Sequence, residues 1–136
     1  MYKRQIEGAG NIVIASSQTL TAGDGNDKTL SGVISGAGNY IKAGSGTQTL
    51  TGNNSYTGST TISNSSGLLK IERDAPLSYL AATSGFTGPG SLHVLPVSSD
   101  FSEAVSTADI TLSGTFLNEL VVGKTSGSSV RISLSI

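Results

Sequence analysis

The stretch that decides the fold runs from Gly36 to Ile62 and reads GAGNYIKAGSGTQTLTGNNSYTGSTTI. Threonine-rich runs surround Leu50 and Ile62, and their β-branched side chains favour an extended backbone. Glycines recur every few positions and mark the places where the chain turns. Short strands joined by tight glycine corners predict a β-solenoid or a β-sandwich. They exclude a helical domain.

A regular set of positions in this stretch forms one structural repeat. Its members are Gly36, Gly38, Gly44, Gly46, Leu50, Gly52, Asn54, Tyr56, Gly58, Thr60, Thr61 and Ile62. With its flanks, over about residues 29–71, the pattern resembles the passenger-associated repeat of bacterial autotransporters. Tyr40 and Gln48 stand where that repeat usually has leucine, so Gln48 is polar at a position expected to face inward. Lys42 is expected to face solvent.

The C-terminal third carries a second pattern, with GPGSLHVLP at 88–96, ELVVGK at 119–124 and VRI at 130–132. These segments resemble ones that are repeated in filamentous-haemagglutinin-like exoproteins. Both resemblances imply an all-β fold, a right-handed parallel β-helix, in a protein that is secreted or exposed on the bacterial cell surface. They also imply one partner, an outer-membrane β-barrel translocator that acts in cis or as a separate protein.

Periodicity along the chain supports the solenoid prediction. The tetrad GAGN occurs at 8–11 and 36–39, and a looser GPGS follows at 88–91, which predicts a repeat of about 28 residues. Two segments interrupt the strands, and we expect 74–80 and 100–106 to form short helical turns in loops. Further strands are predicted at 12–14, 69–72, 92–95, 110–113, 120–122 and 130–136.

Composition limits the classes of function. The chain has 136 residues, 12% of them charged, a net charge of −1 and no cysteine. A charge near zero provides no electrostatic footprint for nucleic acid. The lack of cysteine excludes thiolate metal sites and disulfides. The first five residues resemble the translated end of a library transposon, and we predict a non-native or flexible N-terminus at 1–5, with 6–136 as one β-helix segment of a larger passenger.

The sequence offers one candidate metal site. GDGND at 23–27 resembles part of a calcium-binding nonapeptide, in which aspartates supply hard oxygen ligands. Asp24 and Asp27 are therefore weak calcium candidates. Ala22 replaces a glycine of that nonapeptide and no tandem copy follows, so an ordinary Asp/Asn/Gly corner is the preferred interpretation. We expect no cofactor.

Catalytic groups are sparse. A glycosidase needs two carboxylates that flank the scissile bond. The acids that are close in sequence, which are Asp24/Asp27, Glu72/Asp74 and Asp100/Glu103, lack an aromatic platform for a sugar. His93 alternates with apolar neighbours and is expected to face outward. Asn54 and Tyr56 are interpreted as structural corner residues rather than as binding groups. We therefore predict no catalytic residue.

These observations predict a non-catalytic, structural stalk segment of an adhesin or autotransporter passenger. One alternative is a surface of the adhesin that binds glycans or host proteins. Another is a solenoid that associates end to end into filaments, and a polysaccharide-degrading β-helix enzyme is the least favoured. Nucleic acid is not expected as a partner.

Overall fold

Wherever the structure of the chain is described, its regular secondary structure consists of β-strands. The computed structural model describes residues 2–3, 5–72, 85–95, 109–113, 119–122 and 131–135, with side chains within 5–72 and 85–95. In chain order the strands are β1 (Tyr2–Lys3), β2 (Ile12–Ile14), β3 (Thr19–Ala22), β4 (Lys28–Leu30), β5 (Ile34–Gly36), β6 (Asn39–Lys42), β7 (Thr47–Leu50), β8 (Thr60–Ile62), β9 (Leu68–Glu72), β10 (Phe86–Thr87), β11 (Ser91–Leu95), β12 (Asp109–Ser113), β13 (Glu119–Val122) and β14 (Arg131–Ser135). The all-β prediction and the predicted strands are confirmed. Within these ranges, no helix has the length and apolar character needed to cross a membrane.

The strands form three parallel sheets. One sheet has seven strands in the order β1-β3-β6-β8-β10-β12-β14, a second has five in the order β13-β11-β9-β7-β4, and a third pairs β2 with β5. Partners in a sheet are not consecutive in the chain, because the chain visits another sheet before it returns. This topology is a β-solenoid, which confirms the predicted architecture. Its right-handed sense of winding stays a prediction.

One coil of the solenoid takes 20 to 22 residues in the N-terminal half, as hydrogen bonds between equivalent corners show. Tyr40, for example, lies opposite Thr60 in the next strand of its sheet. The predicted repeat of about 28 residues is wrong for these coils. Gly8 lies opposite Leu30, whereas Gly36 pairs with Ile14, so the two GAGN tetrads occupy different corners of a coil. Turn-forming glycines are needed at several corners, and a shared tetrad therefore does not mark equivalent positions.

The core lies inside the coils, because alternate residues of each strand face inward. Strands β3, β6 and β7 share one pattern of burial, in which half-buried and buried residues alternate. Burial of each large apolar side chain contributes roughly 1.5–3 kcal/mol. The buried apolar residues are Ile6, Ile14, Leu20, Ala22, Leu30, Ile34, Tyr40, Leu50, Tyr56, Ile62, Leu69, Ile71, Phe86, Leu92 and Val94.

The N-terminal residues take part in the first coil. Tyr2 and Lys3 pair in parallel with β3, and the Gln5 amide donates to Asp24 over 2.7 Å. That residues 1–5 are a non-native or flexible N-terminus stays a prediction. The helical turns predicted at 74–80 and 100–106 lie outside the described residues.

Candidate functional site

The residues assigned to the structural repeat fill the inside of the solenoid. Leu50, Asn54, Tyr56, Thr60 and Ile62 are at most 1% exposed, because each lies on an inward position of its coil. Thr61, between two inward neighbours, is half-buried on the outer face. The strongest sequence signal of the chain therefore describes how coils pack. It does not describe a surface that meets a ligand.

The repeat glycines allow the coils to stack at backbone distance. A Cβ atom built on Gly52 would lie 2.0 Å from the carbonyl oxygen of Gly32, and one on Gly32 would lie 2.1 Å from that of Gly10. Gly58 and Gly38 form a second such column, with a corresponding distance of 2.1 Å. Strands of one sheet lie about 4.8 Å apart, so these corners leave no room for a side chain.

Gln48 lies inside the solenoid at an inward position of β7 and is 2% exposed. Its Nε2 donates to the carbonyl oxygens of Ile6 and Lys28 over 3.1 and 3.3 Å. The bond to Ile6 reaches across two coils, since the two residues are 42 positions apart. The departure from leucine thus keeps the register of the repeat and satisfies backbone groups of the first two coils.

Lys42 contradicts the expectation that it faces solvent, because it is 1% exposed. Its Nζ donates to the carbonyl oxygens of Ala43 and Gly44 over 2.7 and 2.9 Å. It also lies 3.2 Å from where a Cβ of Gly67 would be. Desolvation lowers the pKa of Lys42, and the carboxylates of Asp27 and Asp24 oppose that shift. The aliphatic part of the lysine side chain lies in the core, and its ammonium group donates to backbone carbonyls at a corner. The alternation of residues in the sequence does not reveal these carbonyl partners.

Asn54 and Tyr56 lie in the core and are not exposed at a corner. Asn54 accepts a hydrogen bond at Oδ1 from the backbone N–H of Ile34, 2.8 Å away in the preceding coil. The Tyr56 hydroxyl is 2.7 Å from Oγ1 of Thr60, and its ring meets that of Tyr40 edge-on with centroids 6.2 Å apart. Burial raises the pKa of both tyrosines, so both hydroxyls stay protonated.

The two calcium candidates form hydrogen bonds within the protein. Asp24 accepts from Gln5 and, at 2.8 Å, from the backbone N–H of Asn26. Asp27 accepts at Oδ1 from the N–H of Thr47, 2.7 Å away in the next coil. No group of three or more His, Asp or Glu side chains that could hold a metal occurs in the described part of the chain. These bonds are those of an Asx corner, the interpretation that the sequence favours.

Asp27 belongs to a set of corner residues that the sequence did not single out. Asn11 accepts from the N–H of Val33 over 2.9 Å, and Asn39 accepts from that of Ser59 over 2.9 Å. In each case the side chain lies one coil before the N–H, and the N–H begins a strand or immediately precedes one. We refer to Asn11, Asp27 and Asn39 as the strand-start acceptors. An Asx residue beside a strand was the only signal in the sequence.

The two glutamates with described side chains form ion pairs. Glu7 pairs with Lys28 over 3.0 Å, and Glu72 pairs with Lys70 on β9. Asp74, Asp100 and Glu103, the remaining residues of the predicted carboxylate pairs, lie outside the described residues. Asp24 and Asp27 are the pair of which both members are described, and both lie on a single corner.

His93 is half-buried on the outer face of β11, as its alternation predicts, and it lies opposite Lys70 of β9. A cavity of about 270 Å³ opens at the N-terminal coil. Glu7 is the only acid in its wall, and that carboxylate is paired with Lys28. The remaining lining residues are Gln5, Ile6, Gly10, Asn11, Ile12 and Leu30.

The stacked parallel coils and their side-chain-filled interior define a β-solenoid protein. Residues 41–69, from β6 to β9, match the family model of the passenger-associated-transport-repeat. This stretch carries such a repeat, and the match confirms the resemblance found at 29–71. Neither the curated proteins nor the solved structures give a match to the chain. The resemblance of the C-terminal third to filamentous-haemagglutinin-like proteins stays a prediction.

Proposed function

We propose that the chain is a non-catalytic stalk segment in the passenger of a bacterial autotransporter or a related exported adhesin, on the cell surface or secreted. The observation that carries this proposal is the continuity of the parallel pairing through the matched repeat. Residues 41–69 supply parts of β6 and β9 and the whole of β7 and β8, and each of these strands pairs with a coil on either side.

A stalk must keep its length under load, and the fold suits that task. Backbone hydrogen bonds run along the solenoid axis from coil to coil, and each coil adds about 4.8 Å of length. The glycine columns keep this spacing short, and buried ties such as Gln48 join coils that are not in direct contact. Length is therefore set by the number of coils, while the outer faces remain free to vary.

The contacts of the acidic side chains in residues 5–72 and 85–95 support a structural role. Among the described side chains, each acid binds a neighbour: Glu7 and Glu72 in ion pairs, and Asp24 and Asp27 in corner hydrogen bonds. General acid–base catalysis needs a carboxyl group that can reach a substrate proton. These carboxylates instead hold the coils and their outer faces in place. The partner for export is an outer-membrane β-barrel translocator, in cis or as a separate protein.

Surface display tests the proposal. Residues 6–136 would be fused between an epitope with a signal peptide and the translocator of a characterised autotransporter. We expect the epitope to be exposed on intact cells and the solenoid to resist added protease. Gly52→Ala, which breaks a glycine column, should lose that resistance, whereas the exposed Gly25→Ala should keep it. A wild-type chain that fails to reach the surface, or that is digested there, would contradict a stalk function.

The same fusion separates the alternatives. Adhesion to host cells or glycans that outer-face substitutions abolish, with protease resistance kept, would favour a binding surface. Release of sugars from a glycan panel would favour an enzyme. Filaments that form with rising concentration of the purified chain would favour end-to-end assembly. The stalk proposal expects none of these activities from the segment itself.

A further inference from the structure

Two buried polar atoms in the described part of the chain have no hydrogen-bond partner in the protein. They are the hydroxyl oxygen of Tyr40 and Nδ2 of Asn54. The two residues are 0% and 1% exposed. Buried polar atoms in folded proteins are nearly always satisfied, by protein groups or by ordered water. A pair of them in one coil therefore calls for a common explanation.

Both groups are available as donors, and the Asn54 amide has a fixed orientation. Its Oδ1 accepts from the backbone N–H of Ile34 over 2.8 Å, so the oxygen must face that N–H and Nδ2 must point elsewhere. Burial keeps the Tyr40 hydroxyl protonated by raising its pKa. The protein thus presents an O–H and an N–H₂ group inside the solenoid, and the complementary ligand is a small hydrogen-bond acceptor.

Tyr56 relates the two residues inside the solenoid, since it lies two positions after Asn54 and its ring contacts that of Tyr40. Asn54 and Tyr56 are buried on either side of exposed Ser55, so they point to the same side of their segment. The ring of Tyr40 contacts the ring of Tyr56 edge-on, at 78° and a centroid distance of 6.2 Å. The hydroxyl of Tyr56 bonds to Thr60, whereas the Tyr40 hydroxyl and Asn54 Nδ2 have no partner in the protein.

We propose that this coil contains an interior binding site for one ordered water molecule, held by the Tyr40 hydroxyl and the Asn54 amide. A water molecule can accept a hydrogen bond from each of the two donors. A halide ion would also accept from both, but its charge would cost far more to bury. The site makes one solvent molecule a fixed part of the interior of the repeat.

Crystallography of the full chain at a resolution that shows ordered water is the direct test. We expect a density peak within hydrogen-bond distance of both the Tyr40 hydroxyl and Asn54 Nδ2, and we expect Tyr40→Phe to lose it. No peak, or a direct bond between the two side chains, would overturn the proposal. An anomalous signal at the peak after a bromide soak would overturn the assignment to water in favour of a halide.

The thermal stability of variants provides an independent test of the water site. If the Tyr40 hydroxyl binds water, Tyr40→Phe should lower the thermal midpoint, whereas removal of an unpartnered hydroxyl should leave it unchanged or raise it. Tyr56→Phe is the matched control, because that hydroxyl has a protein partner. In an Asn54→Ala background the loss caused by Tyr40→Phe should shrink, while that of Tyr56→Phe should not. Equal losses of Tyr40→Phe in both backgrounds would contradict a shared ligand. If Asn54→Ala fails to fold, the single Tyr40→Phe comparison still decides.

Discussion

Gln48 shows how one polar side chain can stabilise the interior of a solenoid. At the edge of the sheet that contains β4, the described part of the first coil contributes an isolated bridge, Gly8 to Leu30, and Gln48 bonds to the Ile6 carbonyl from two coils away. Leucine, which the repeat usually has here, would have similar bulk but could not donate. An inward glutamine therefore ties the N-terminal coil to the rest of the stack.

We expect Gln48→Leu to lower the free energy of unfolding by about 1–3 kcal/mol, because the buried carbonyl of Ile6 would lose its partner. Urea denaturation of the purified chain measures this. Thr49→Val, on the half-buried outer side of the same strand, serves as the control and should change little. A Gln48→Leu variant as stable as wild type would show that the amide contributes nothing net.

Gly52 offers a second test of a single position. A methyl group there would collide with the Gly32 carbonyl at 2.0 Å, and the backbone cannot move away without breaking pairing in both coils. We expect Gly52→Ala to cost about 3 kcal/mol or more. Gly25→Ala is the control, because the nearest atom to its Cβ is Ser45 Oγ at 3.7 Å. Equal stability of the two variants in denaturant would contradict the close stacking of coils.

Strands in this fold begin where the previous coil offers an acceptor. The strand-start acceptors each bond to an N–H of the following coil, so a finished coil fixes where the next strand starts. This arrangement complements the sheet hydrogen bonds, which set pairing but tolerate a shift along the strand direction. Register is thus determined at the corners as well as by the inward apolar residues.

Substitutions of Asp27 measure how much a strand-start acceptor contributes to the stability of the next strand. Asp27→Ala should lower stability by about 1 kcal/mol and speed amide exchange of Thr47, because that N–H loses its acceptor. Asp27→Asn keeps an acceptor oxygen and should retain most of the protection. Exchange at Thr47 that is the same in all three proteins would contradict the proposed role. Because Asp27 and Asp24 already bind protein donors, calcium and EDTA are expected to leave the unfolding midpoint unchanged.

Sequence reasoning predicts the elements better than the spacing of the coils. Alternation in β9 and β11 is clear because inward residues there are all apolar, so strands and their faces follow directly. The coil length is obscured, since similar glycine tetrads serve different corners. The inward positions of Lys42 and Gln48 also escape prediction, because their polar ends are satisfied by carbonyls that only the stacked coils bring near.

For the whole molecule, the buried tyrosines predict alkaline unfolding. Burial raises the pKa of Tyr40 and Tyr56 in the folded state above the ordinary value of 10. Below that pH both states keep the phenol protons, whereas above it only the unfolded chain releases them. Stability should therefore fall as pH rises past about 10. Urea midpoints between about pH 8 and about pH 11, with tyrosinate absorbance as a second probe, measure the effect.

Lys42 has the opposite effect on how stability depends on pH. Its folded-state pKa is lowered from 10.5, so its contribution to stability rises as pH increases toward that value. Lys42→Met removes this contribution and should steepen the alkaline loss, whereas Tyr40→Phe should make it shallower. Tyrosinate absorbance that appears well before unfolding would show that the phenols are not sealed in the core.

The in-register pairing of the N-terminal coils has a consequence for inheritance. Leu30 lies opposite Leu50, and the N–H of Thr51 donates to the carbonyl of Leu30. Because these positions are equivalent in successive coils, one whole coil could be removed or duplicated between them without a change to any corner. Unequal recombination between neighbouring coils would therefore lengthen or shorten the protein in whole steps and yield a folded product each time. Insertion or deletion of one residue within a strand would instead turn the inward side chains that follow it in that strand to the outer face. Selection can adjust the reach of such a protein without redesigning its sequence.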